Sequence, residues 1–132
     1  MVAIRGTPFT SDCCSLIALA GTAQADIFAS GPVYGGNPSG GTAICRIFNA
    51  GLTNVSIPSR AIITNTDVSL TLTGDTCNVP IGPSKNCVFL AAIPGNLAIS
   101  CRLAAAGIDV RLRGRAEVQS SGGAVLVGQP ID

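Results

Sequence analysis

Histidine and tryptophan are absent from this 132-residue chain, and methionine occurs only at the first position. The missing His removes most metal sites and all histidine-based acid–base chemistry. Charged residues make up only 11% and aromatic ones 4%. No apolar run reaches the roughly 20 residues that a membrane-spanning helix needs; the longest, CCSLIALAGT at 13–22, is half that. No segment carries an apolar stripe at helical spacing over a helical length. The Ala-rich stretch 102–106 is cut off by Gly107 after about one turn. A formal net charge of +1 gives no bulk attraction to nucleic acid or anionic lipid.

Catalytic patterns are missing as well. There is no G-x-S-x-G elbow and no S-x-x-K among the serines. Gly35-Gly36 and Gly40-Gly41 are followed by no Lys-Ser/Thr, so they read as turns and not as a phosphate cradle. The acids are scattered over loops. The expectation is a non-enzymatic protein with no catalytic residues, cofactor or metal; a small secreted hydrolase is the remote alternative.

What is present begins with the apolar run itself. It is bounded by Asp12 and by Ala23-Gln24-Ala25, small residues two apart, the pattern of a secretory signal with cleavage after Ala25. Arg5 is the lone cation before it, with Pro8 and Asp12 between, so an early start codon or an ordinary N-terminal arm is the competing reading. A lipoprotein signal is disfavoured because position 26 is Asp. The domain plan is a signal peptide at 1–25, a Gly/Pro-rich arm at 26–41 and one β domain at 42–132. The 107 residues after the leader suffice for one domain, and 47% hydrophobic content excludes disorder. They carry seven Arg/Lys against six acids. The address implied is secreted or periplasmic.

Short alternating segments follow one another at spacings of about 8–12 residues. The main strands are expected at 42–48, 55–57, 61–64, 68–73, 87–92, 97–104, 110–118 and 124–128, with shorter extended pieces at 26–30 and around Val33-Tyr34. Pro58 is expected to stop the 55–57 strand, and VSLTLT at 68–73 is the cleanest alternation. The stretch 77–87 is a Pro/Gly-rich loop, and Ser120-Ser121-Gly122-Gly123 a hairpin turn. The fold class is all-β: an immunoglobulin-like or related Greek-key sandwich of seven to nine short strands.

Four cysteines lie in this body. Cys45 and Cys101 each sit on the apolar face of a strand, well placed to bridge two sheets, and Cys77 and Cys87 flank the loop. In an exported chain such cysteines are disulfides. The favoured pairing is Cys45–Cys101 with Cys77–Cys87; Cys45–Cys77 with Cys87–Cys101 stays open. On the loop-entropy model the short bridge contributes roughly 3 kcal/mol and the long one about 4. A four-thiolate zinc site is disfavoured, because the spacings of 32, 10 and 14 contain no C-x2-C pair.

The run DTCNVPIGPSKNCVFLAAIP at 75–94 resembles a segment of exported bacterial immunoglobulin-like modules of the hydin type. Cys77, Pro83, Cys87, Val88-Phe89-Leu90 and Pro94 hold the places of the motif, with Ile81 for its usual Leu and Pro83-Ser84 for Pro-Gly. The chain also resembles small exported bacterial proteins without an assigned role. The resemblance implies adhesion, scaffolding or envelope work and transfers no catalytic residue. The Trp of antibody-type packing is missing.

Arg111, Arg113 and Arg115 recur at period 2, which on a strand makes a cationic ridge about 14 Å long. Arg102 is expected beside it on the preceding strand, and Arg46 is a further candidate. Such a ridge suits an anionic glycan, phosphate or carboxylate. The plainer reading is a solvated outer face, paired in part with Asp109 and Glu117. Tyr34 either stacks on sugars or packs across its turn. The expected partners are a protein or glycan at the cell exterior, with no nucleic acid. Self-association through 26–41 or the end strand 124–128, as in a surface polymer, is the second reading.

Overall fold

The computed structural model describes residues 26–36, 41–120 and 122–132. The leader reading and its cleavage site lie outside the described residues, as do positions 37–40 of the expected Gly/Pro-rich arm.

Eight strands form two antiparallel sheets, and no helix occurs among the described residues. In chain order they are β1 (Asp26–Ala29), β2 (Gly41–Asn49), β3 (Ser56–Thr64), β4 (Gly74–Asp75), β5 (Asn86–Ile93), β6 (Ile99–Ala106), β7 (Leu112–Gln119) and β8 (Val125–Ile131). One sheet has the order β1-β6-β3, the other β4-β5-β2-β7-β8. Only β4–β5 and β7–β8 are consecutive neighbours, so every other connection crosses between the sheets. The result is a β-sandwich.

Alternation supplies the core. Ala43, Cys45 and Ile47 of β2 turn inward beside Cys87, Phe89, Ala91 and Ile93 of β5, and Ile99, Cys101, Leu103 and Ala105 of β6 close from the facing sheet. Phe89 is the largest side chain that is fully buried. Cys45 and Cys101 are bonded across the sheets with Cα atoms 6.0 Å apart, both wholly buried. Cys77 and Cys87 are bonded locally, Cα to Cα 5.1 Å. These are the favoured pairs, and they indicate an oxidising, extracytoplasmic environment. Among the described residues no helix is long and apolar enough to cross a membrane.

Two strand expectations are corrected. Residues 68–73 form no regular strand although their side chains alternate, with Leu70 and Leu72 packed on the core and Ser69, Thr71 and Thr73 exposed. This segment changes sheets along its length: the Leu70 amide donates to Ile62 of β3, while the Thr73 amide donates to Leu90 of β5. A chain that leaves one edge for the other makes no long ladder with either. Pro58, in turn, does not end its strand. β3 is an edge strand, and Pro58 sits where its register with β6 shifts between Ser56 and Ser59, a place that needs no amide donor.

The Gly/Pro-rich segment is woven into the sandwich as far as it is described. Ser30 both donates its amide to the Cys101 carbonyl and accepts the Cys101 amide on Oγ, each at 2.9 Å. Val33 exchanges backbone bonds with Ile99 and is buried. Ala29 and Asp132 also exchange backbone bonds, joining β1 to the end of β8. One flank is thus closed by that contact and the other by residues 70–76.

Ionic and amide ties fix the flank and one end. Arg60 of β3 donates from Nε to both carboxylate oxygens of Asp75 on β4, at 2.8 and 2.7 Å, and from Nη1 to the Ile57 carbonyl. The guanidinium holds the Asp75 carboxyl below its ordinary value, with help from the Cys77 amide and against partial burial. Asn49, fully buried at the end of β2, donates to the carbonyls of Thr53 and Ile81 and accepts the Gly51 amide at 2.9 Å. One side chain therefore ties the 50–55 turn to the 77–87 loop, whose Ile81 pairs in turn with Val55.

Candidate cationic groove

The outer face of the five-stranded sheet carries a two-by-three grid set by strand register. Phe48 of β2 stands between Asn86 of β5 and Arg113 of β7; Arg46 of β2 stands between Val88 and Arg115. Alternation dictates the composition, since every second residue of β2 and β7 faces out, and at this end of the two strands these are Arg46 and Phe48 beside Arg115 and Arg113. Together the six side chains line an open groove of about 400 Å3, within the roughly 300–1,000 Å3 of ligand-sized clefts.

One acid organises the upper row. Glu117 follows Arg115 on the same face of β7, and its side chain is only 10% exposed. It accepts Arg46 Nε on Oε1 at 3.2 Å and Arg115 Nε on Oε2 at 3.0 Å. A nearly buried carboxylate without such partners would be costly. With both guanidinium groups on it, the carboxylate fixes their positions at the groove wall. Gly128 on β8 leaves the room this needs, because a Cβ there would collide with the Arg115 guanidinium. Arg113 has no ion-pair or hydrogen-bond partner among the described residues. Three arginines and one glutamate leave this region net positive by two.

The sequence-derived candidates divide. Arg113 and Arg115 lie in the groove, and Arg46 joins them in register. Arg111 precedes β7, stays outside the groove and pairs with Asp109 at 3.2 Å, both side chains well exposed. Arg102 does not share the face: it lies on β6 in the other sheet, opposite Ala29 and Ala61. The reason is that the 107–111 connection crosses between sheets, where a hairpin would have kept neighbours together. Tyr34 is half-exposed and outside the groove. The contribution of Phe48, Asn86 and Val88 was not foreseen; Phe48 was within reach, since it falls two residues after Arg46 on the same strand, but pairing with β5 is not written in spacing.

A second hollow, about 130 Å3, lies beside Cys77 between residues 56–58 and 77–80 and contains no charged side chain. No cluster of three or more metal-ligating side chains occurs among the described residues. The chain matches no family model, no curated protein and no solved structure.

Proposed function

We propose that this chain is an exported, non-enzymatic β-sandwich module that works by binding an anionic partner at the cell envelope or exterior. The observation that carries the reading is the register that gathers Arg46, Arg113 and Arg115 around one open groove with Phe48 and Val88. A purely solvating face has no need of a nearly buried acid that sets two arginines, nor of an exposed Phe48 beside them. The absence of His, together with the engagement of Asp75, Asp109 and Glu117 in ion pairs, favours binding over catalysis.

Kinship with the immunoglobulin-like modules is part of the proposal. The pairings β2–β5 and β3–β6, tied by a β2–β6 disulfide, parallel the B–E and C–F pairings and the B–F disulfide of that fold. β7 departs from it by lying beside β2.

The test is an array of carboxylated, phosphorylated and sulfated ligands probed with the oxidised protein. Binding should be saturable, weaken with salt and be lost in the Arg46→Gln/Arg113→Gln/Arg115→Gln variant. A blank array, or binding indifferent to those arginines, would remove the reading.

A subunit of a surface polymer is the second reading. It is favoured by Val125 and Leu126, half-exposed at the start of β8, away from the end where Ser30 and Ala29 pair with Ile131 and Asp132. Concentration-dependent assembly that Val125→Lys abolishes is its signature.

A further inference from the structure

We propose that the groove takes a carboxylated sugar, one uronate ring of an acidic polysaccharide at a time; this rests on the anion-binding reading above. The grid offers three different kinds of contact side by side. Phe48 is 40% exposed and, with Val88 diagonal to it, gives an apolar floor suited to the carbon face of a pyranose. Arg113, directly across from Phe48, presents an uncommitted planar fork that matches a carboxylate bidentately. Asn86, on the other side of Phe48, offers an amide that both donates to and accepts from hydroxyls. A ring stacked on Phe48 would therefore have a carboxylate partner on one flank and a hydroxyl partner on the other.

Charge density selects among anions. Arg46 and Arg115 already share Glu117, whose carboxylate bears on the upper row. Of the three groove arginines, Arg113 alone has no such partner among the described residues, which fits a ligand bringing about one negative charge per ring. Heavily sulfated glycans and polyphosphates bring several charges over the same length, and Glu117 opposes them. A bare phosphate makes no use of the apolar floor. The openness of the groove across three strands admits an internal ring of a chain as well as its end.

The experiment is calorimetric titration of the oxidised protein with an oligogalacturonate, with the same oligosaccharide after reduction of its carboxyl groups, with a heavily sulfated oligosaccharide and with inorganic phosphate. The expected result is binding of the oligogalacturonate alone, weakened at least tenfold by Arg113→Gln and by Phe48→Ser, and retained by Phe48→Tyr. The carboxyl-reduced ligand removes the same contact without altering the protein, so a variant that misfolds leaves the test intact. Binding of the sulfated oligosaccharide or phosphate through Arg113, with none of the oligogalacturonate, would overturn the uronate assignment while leaving the anion-binding reading in place. Equal binding of the carboxyl-reduced ligand would overturn it too. No binding by any of the four would overturn the assignment and count against the broader reading as well.

Discussion

At the centre of the sandwich Cys45 joins Cys101 with neither residue exposed, whereas at its flank Arg60 joins Asp75 through side chains 18% and 21% exposed. Both ties connect the three-stranded sheet to the five-stranded one. The first is covalent, shielded from solvent and indifferent to pH and salt; it answers only to redox conditions. The second costs desolvation, is partly screened and depends on the charge of one carboxylate. The centre therefore carries the stability of the module, and the flank carries its sensitivity to acid.

Breaking the central tie should have the largest effect. The Cys45→Ala/Cys101→Ala variant should lose about 4 kcal/mol of unfolding free energy in a denaturant titration, given a loop of 56 residues. The amide hub at the end of β2 comes next. Asn49→Ala leaves the Gly51 amide and the carbonyls of Thr53 and Ile81 short of partners, and should cost about 2–3 kcal/mol in the same titration. Faster amide exchange confined to residues 50–55 and 77–85 would locate the damage there.

Asp75→Asn, which removes only the flank tie, should cost about 1–2 kcal/mol at neutral pH. Its pH dependence sharpens the contrast. The carboxyl titrates lower in the folded protein than its ordinary 3.8, chiefly because of Arg60. The contribution is therefore complete above the unfolded value and is lost as pH falls through the folded one. The gap between the unfolding midpoints of wild type and Asp75→Asn should start to narrow as pH falls below 3.8 and close at lower pH; parallel curves would show that this carboxylate is not the acid-labile element. The smallest effect belongs to the outer faces. Arg102→Gln and Arg113→Gln should each leave unfolding within about 0.5 kcal/mol of wild type, and only the second should alter anion binding.

Much of this architecture was legible residue by residue. The alternation around Cys45 and Cys101 placed both on inward faces, and their separation made a bridge between sheets the natural pairing. Arg113 and Arg115 were correctly placed on one side of a strand while Arg111 falls just before it, and Asp109 and Glu117 are ion partners of Arg111 and Arg115. What spacing does not encode is which strands become neighbours. Arg102 precedes Arg111 closely in the chain yet points out from the opposite sheet, whereas Arg46, far away in sequence, lies directly beside Arg115. The alternation at 68–73 likewise reports the burial of Leu70 and Leu72, though not of Val68, which is exposed, and misreports pairing, because side-chain period is set by the core and ladder formation by neighbours on both sides. Asn49 escaped notice since a lone Asn before Ala-Gly reads as an ordinary turn.

The contact between Ala29 and Asp132 bears on how the molecule would behave under tension. Pulled from residues 26 and 132, it takes the load on those backbone bonds and on the β1–β6 and β7–β8 ladders. Extension halts at the Cys45–Cys101 linkage, which withholds about 190 Å of contour from the stretched chain. A tethered copy would lengthen by a bounded amount and keep its middle knotted together, a shock absorber with a hard stop for as long as the sulfurs stay oxidised.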